Sequence, residues 1–330
     1  MMRSYNILFG MIGLLLFSGI ARAQTVPLIP VHDPVMIRQD STYYVFATGK
    51  GIRVWSSTDR RYWKSEKPVF ESAPTWTTQT NPATRPNDFW APDISFHKGI
   101  YYLYYSSSVF GKNSSAIGLT TNKTLNPADP NYQWIDRGLV IQSIPGRDNW
   151  NAIDPNLIVD TTGHAWLTFG SFWGGIKLVR LGDDLTGPAI PSEWYTLASR
   201  PRTDTTENGE AANGAVEAPF LFRKNGFYYL FVSFDYCCRG PKSTYKLMVG
   251  RSASITGPYL DQNGKMMTQG GGTLVLAGDK DWYGVGHNST YTYEGKDYLV
   301  YHGYDATDNG KSKLLIKPLR WDAQGWPKVE

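Results

Sequence analysis

The sequence predicts an all-β chain folded as a five-bladed β-propeller, a single domain over residues 24–330 with its active site in the axial funnel. Three observations predict it. A motif made of a polar or charged head, a proline, an apolar strand, a polar turn and an aromatic strand recurs five times. Aligning Pro34, Pro92, Pro155, Pro219 and Ser289 gives steps of 58, 63, 64 and 70 residues, and a repeat of that period fixes architecture before local propensity does. Nine positions after each anchor stand Tyr43, Tyr101, His164, Tyr228 and Tyr298, so the hairpin keeps its length while the connections vary. No helical periodicity separates the repeats, and a second strand pair usually follows. Four short strands per repeat are the mark of a propeller blade. A pair of β-sandwiches would also space its strands evenly, but gives no reason for one polar head to return about every 60 residues.

The elements follow in order. Residues 1–23 read as a signal peptide: Arg3 is the positive end, residues 7–20 are the apolar run, and Ala21-Arg22-Ala23 is the small-residue cleavage site, so export after cleavage at Ala23 is expected. The run is shorter than the ~20 residues a membrane span needs, and no cysteine follows to take a lipid, so no membrane anchor is expected. The first blade is HDPVMIRQDSTYYVFATG from His32, then a second pair from Ile52. The second is WAPDISFHKGIYYLYYS from Trp90, then AIGLTTNKTLN from Ala116. The third is DPNLIVDTTGHAWLTFGS from Asp154, then IKLVRLGDDLTG from Ile176. The fourth is EAPFLFRKNGFYYLFVS from Glu217, then LMVGRSASITGPY from Leu247. The fifth opens with HNSTYTYEGKDYLVYHG at His287. Each hairpin joins β-branched and aromatic strands through a polar turn such as Arg223-Lys224-Asn225-Gly226.

Net charge is +4, falling to +2 once Arg3 and Arg22 leave with the leader, a field too weak for a nucleic-acid partner. Twelve Trp, 21 Tyr and 14 Phe suit tightly packed blades and also a surface that stacks on sugar rings. The two cysteines, Cys237 and Cys238, are adjacent. Their Cα atoms stand about 3.8 Å apart in a trans chain, against the usual 4.4–6.8 Å of a disulfide, so two thiols packed beneath a loop are expected. His97 and His164 fall in hairpin turns and are expected at the surface; His302 is undecided.

In a propeller the leading residue of each blade points into the funnel at one mouth, so Asp33, the Trp90 to Asp93 corner, Asp154, Glu217 and His287 should converge. A structural repeat needs no carboxylate there, and burying three together costs free energy by desolvation and repulsion. Cleaving a glycosidic bond needs a carboxylate that activates water and a carboxylic acid that protonates the leaving oxygen. With about 6.5–9.5 Å between them the reaction inverts; with about 5–5.5 Å it retains. Three carboxylates and a histidine would also suit a divalent cation.

The blade heads HDP at His32, FWAPD at Phe89, NAIDP at Asn151, VEAP at Val216 and GHNS at Gly286 resemble those of glycoside hydrolase family 43 over nearly all of residues 24–330. Within it, SFWGGI at Ser171, SFDYCCRG at Ser233, STYKLMVGRS at Ser243 and GPY at Gly257 are most similar to the endo-α-1,5-L-arabinanases. That resemblance implies an inverting hydrolase of internal α-1,5-L-arabinofuranosidic bonds in arabinan, the pectin side chain. It implies Asp33 as general base, Glu217 as general acid and Asp154 as the carboxylate that raises the acid's pKa and orients it. It also implies a calcium ion, or another small ion, on the axis at His287, otherwise surrounded mostly by water. Asn151, Ala152, Ile153, Ser171, Phe172 and Trp173 match substrate-binding positions, and Phe110 and Trp90 are candidate stacking platforms for furanose rings. The protein is expected to act as a monomer on its polysaccharide. An exo-arabinanase, an arabinofuranosidase or a β-xylosidase on the same scaffold is the alternative. A non-catalytic sugar-binding propeller has no need of the three carboxylates.

Overall fold

The computed structural model describes residues 1–2, 28–202 and 214–330; all of the leader but Met1 and Met2 lies outside them. Five antiparallel sheets follow one another along the chain. Blade one comprises Val35–Gln39, Thr42–Ala47, Arg53–Ser57 and Lys64–Ser65. Blade two comprises Asp88–His97, Ile100–Ser107, Ser115–Asn122 and Ile135–Ser143, with Gly49–Lys50 added at its edge. Blade three is Asn156–Val159, Ala165–Phe169, Ile176–Arg180 and Trp194–Ala198. Blades four and five run Val216–Lys224, Phe227–Phe234, Lys246–Ser252, Thr273–Ala277 and Trp282–Tyr293, Lys296–Asp305, Lys311–Trp321, Pro327–Val329. Among the described residues one short α-helix, Thr75–Thr80, interrupts the strands.

The polar turns predicted from sequence close the first hairpins tightly. Gln39 pairs with Thr42, His97 with Ile100, Lys224 with Phe227 and Tyr293 with Lys296. Asn225 and Gly226 adopt φ of 49° and 84°, the left-handed pair whose twist matches that of the strands it joins. Blade three differs: Val159 pairs with Ala165, so the connection lengthens while the strands shorten, and the spacing from anchor to aromatic position is preserved.

The core is divided among the seams between blades. Alternation along a strand sends successive side chains to opposite neighbours. Leu103 and Tyr105 pack with Tyr44 and Phe46 of blade one, whereas Tyr104 packs with Leu157 and Leu167 of blade three. Three further clusters join blades three and four, four and five, and five and one. Among the described residues no strand is exchanged to close the ring. Instead Leu314 N–H donates to Ile29 O at 3.0 Å, Ser289 Oγ donates to Pro34 O at 3.3 Å, and the Arg38 guanidinium lies 4.2 Å from the centre of the Tyr293 ring.

Candidate active site

At the head of every blade one residue adopts the left-handed conformation: Asp33, Ala91, Asp154, Ala218 and His287, with φ between 45° and 58°. Non-glycine residues rarely do so, and such positions gather at functional sites. Here each is secured by the preceding blade. Ala91 N–H donates to Thr48 Oγ1 at 2.8 Å, Asp154 N–H to Ser106 Oγ at 3.1 Å, and His287 N–H to Ser233 Oγ at 2.9 Å. Asp33 N–H donates to His302 Nδ1 at 3.1 Å. In blade three the corresponding strand end is Gly170, which offers no side chain, and Ala218 N–H donates to Asp154 Oδ2 at 3.1 Å instead. Two aspartates are thus themselves the left-handed residue, while Glu217 stands one place earlier, before a bulge between Glu217 and Phe220 of the kind that re-aims a side chain.

These heads open on a cavity of about 490 Å³. Asp33, Trp90, Asp154, Glu217 and His287 all line it, as do Asn151, Ile153, Ser171, Phe172, Trp173 and Phe110. Two expectations fail. Ala152 is fully buried in the seam between blades two and three, and its N–H donates to Ser143 Oγ at 2.9 Å, so it does not reach the cavity. Asp93 is carried past the site by the bulge between Trp90 and Asp93. It lines a second cavity, accepts Asn156 Nδ2 at 3.1 Å and Leu157 N–H at 2.8 Å, and burial pushes its carboxyl up to about 6.

Asp33 sits among donors. Its Oδ1 is 2.8 Å from His32 Nδ1 and 3.0 Å from His287 Nδ1, and its Oδ2 accepts Thr48 Oγ1 at 2.6 Å. Because Thr48 Oγ1 already accepts the Ala91 N–H, its own proton is free for Asp33. Burial would raise the Asp33 pKa, but the electrostatic pull of His32 and His287 and their hydrogen bonds outweigh it and hold the group well below the usual carboxylate range. His287 is held reciprocally: burial would lower its pKa, yet Asp33 first and then Asp154 and Glu217 push it up to about 9.

Among the described residues Glu217 has no cationic partner in bonding distance. Ser171 Oγ donates to its Oε2 at 2.7 Å and Tyr245 Oη to its Oε1 at 2.8 Å. Tyr245 reaches it because its ring lies against Gly286, where a Cβ would collide with that ring. Burial raises the Glu217 pKa, and the two hydroxyls and His287 offset this only in part. Burial likewise pushes Asp154 up to about 8, with His287 opposing and the Glu217 and Asp33 charges adding. Environments that drive two carboxyls apart in pKa mark one as base and the other as acid.

Among the described residues the chain's own donors build no calcium cage. His32, Cys237 and Cys238 cluster, but the cysteines are bonded to each other. His32, Asp33 and His302 cluster, but His302 Nδ1 is taken by the Asp33 N–H. His287, the expected ligand, has Nδ1 on Asp33, leaving Nε2 as its one nitrogen for an ion whose other ligands would be water. Such an ion would displace the ring's proton, so proton and ion are alternative sources of positive charge at this place.

Asn151 Oδ1 and Trp173 Nε1 are buried on the cavity wall and find no hydrogen-bond partner among the described residues. A buried donor and acceptor left open in this way are suited to sugar hydroxyls. Phe110 stands 76% exposed at the rim. The expectation of two free thiols is overturned: Cys237 and Cys238 form a disulfide. The bridge forms at the ordinary Cα–Cα distance of 3.8 Å, so that spacing does not exclude it, and Cys238 stands at a left-handed φ of 65°. Sequence reasoning also missed Thr48, Ser233, Tyr245, His302 and Tyr304. For Thr48 and Ser233 the signal was place in the repeat, since Thr48, Ser106 and Ser233 share one position at the end of the second strand.

Residues 25–327 match the glycosyl hydrolases family 43. The chain is 54% identical over 302 residues to the extracellular exo-alpha-(1->5)-L-arabinofuranosidase ArbA of Cellvibrio japonicus (strain Ueda107), covering 92% of this chain and 87% of that protein. It is 46% identical over 301 residues to the extracellular endo-alpha-(1->5)-L-arabinanase 1 of Bacillus subtilis (strain 168), covering 90% and 87%. The solved structure of Cellvibrio cellulosa alpha-L-arabinanase complexed with arabinohexaose superposes with a TM-score of 0.90 at 53% identity, covering 92% of this chain and 96% of that one.

Proposed function

The chain belongs to glycosyl hydrolase family 43, and from that premise we propose that it is an exported, inverting hydrolase of α-1,5-linked L-arabinofuranose chains. The observation that supports this best is the electrostatic separation of two carboxyls in one cavity, Asp33 held low by two imidazoles and Glu217 raised by burial. Ionised Asp33 takes a proton from a water as that water attacks the anomeric carbon. Glu217 gives its proton to the departing sugar oxygen on the opposite side. Asp154 accepts the Ala218 N–H, so it fixes the backbone on which Glu217 stands, and its carboxyl beside Glu217 completes the buried acidic group. Asn151 and Trp173 would hold sugar hydroxyls, and Phe110 and Trp90 would face furanose rings.

The mode of attack has two readings. Cleavage within the chain is the expectation from the sequence motifs, whereas attack at chain ends is favoured by the higher identity to an exo-acting relative, 54% against 46%. We place the exo reading first. Early products of linear, debranched arabinan decide it: one short product from the outset supports chain-end attack, and a ladder of lengths restores the endo reading. Export is supported by the extracellular relatives and by the leader read at residues 1–23, and N-terminal sequencing of the mature protein, expected to begin at Gln24, tests it. An axial calcium ion on His287 belongs to the same proposal. Chelation should then lower the melting temperature, and no change would remove the ion.

A further inference from the structure

Behind Asp33 lies a chain of hydrogen bonds that the proposed chemistry does not yet use. His302 is wholly buried and stacks on His32 with ring centres 4.0 Å apart. Its Nδ1 accepts the Asp33 N–H at 3.1 Å. A backbone N–H can only donate, so His302 Nδ1 bears no proton, and the neutral ring has its proton on Nε2. That Nε2 lies 3.3 Å from Tyr304 Oη. The same hydroxyl oxygen accepts the Cys238 N–H at 2.7 Å, from the disulfide at the cavity rim. Both lone pairs of Tyr304 are therefore occupied, and its own proton must be donated. Among the described residues the acceptor left for it within bonding distance is His32 Nε2, at 2.8 Å. Accepting there leaves the His32 proton on Nδ1, directed at Asp33 Oδ1 2.8 Å away.

We infer that Tyr304 is a positioning residue: its hydroxyl fixes the Nδ1–H tautomer of His32, so that His32 donates to Asp33 and links the disulfide loop to that carboxylate. Each direction in the chain follows from two fixed donors, the backbone amides of Asp33 and Cys238. The inference rests on the reading of Asp33 as base only for its effect on rate. The tautomer is a separate claim.

The test is histidine NMR with isotope-labelled side chains, at neutral pH, on the wild-type protein and on Tyr304→Phe, with steady-state kinetics on debranched arabinan beside it. In the wild type His32 should appear as the neutral Nδ1–H tautomer. An Nε2–H or doubly protonated ring there would overturn the inference, and that result needs no variant to fold. In Tyr304→Phe the tautomer preference should weaken and kcat should fall about tenfold with KM within about twofold, the scale of a misaligned catalytic group. Unchanged kcat, or a loss borne by KM, would overturn the positioning role. Asp33→Asn separates the two readings: a fully active Asp33→Asn protein would remove Asp33 as base, while the wild-type spectrum would still decide the tautomer.

Discussion

The heads of the first and fourth blades stand within one residue of the same point in the repeat, yet the pKa of one carboxyl is held low and that of the other is raised. Both are buried, and burial alone would raise both. The difference comes from the neighbouring side chains. Asp33 is bonded to His287 and has His32 beside it in sequence, while among the described residues the hydrogen bonds to the Glu217 carboxyl come from hydroxyls, those of Ser171 and Tyr245. In a repeat protein, the repeat delivers equivalent positions and the adjoining blades make them chemically unequal.

Erasing either head is the strongest way to break the comparison. Asp33→Asn and Glu217→Gln should each lower kcat on arabinan by about a hundredfold to ten-thousandfold, the range of general acid–base contributions, with oligosaccharide binding retained by calorimetry. A variant with wild-type kcat would remove that residue from the chemistry.

Smaller changes should move one side at a time. His287→Ala deletes a positive charge beside Asp33, so the Asp33 pKa rises and the acid limb of kcat/KM moves to higher pH. Activity should then fall several-fold at about pH 4 and far less at about pH 7; a parallel loss at both would mean that His287 acts elsewhere. Tyr245→Phe removes a hydrogen bond that favours ionised Glu217. Its pKa should rise further, carrying the alkaline limb upward with the neutral rate within a few-fold, and a limb that moves down would contradict the assignment.

The gentlest test reads stability. Asp154 is raised in the folded protein to about 8, so its contribution is fully favourable below the ordinary carboxylate range and is lost as pH rises through 8. Asp154→Asn should melt above the wild type at high pH, with the gap closing on acidification. A gap independent of pH would mean that the buried carboxyl is not the cause.

The architecture was legible because the anchors Pro34, Pro92, Pro155 and Pro219 and the aromatic positions nine residues on repeat without drift. The carboxylates were legible for the same reason, since a charged residue at a repeated head has no packing role. The residues that tune them were not. From the sequence alone Tyr245 and Tyr304 resemble any other aromatic and His302 is undecided; the packing of blade five's second strand against the first blade's head reveals the partners of His302 and Tyr304, and the approach to the third strand of blade four reveals that of Tyr245. Local backbone shape hid the rest. Ala152 shares a segment with Asn151 and Ile153, but side-chain direction in that irregular stretch does not follow from adjacency. Asp93 is displaced by a bulge, and the Cys237–Cys238 bridge forms at a Cα spacing shorter than the usual disulfide range.

The division of labour between Asp33 and Glu217 is tested most directly by the anomeric configuration of the first sugar released, followed by proton NMR before mutarotation. Water activated by Asp33 on the face opposite Glu217 predicts the inverted β-configured product from the α-linked chain. A product that retains the α configuration would mean that Asp33 attacks the sugar itself, which contradicts its role as the base that activates water.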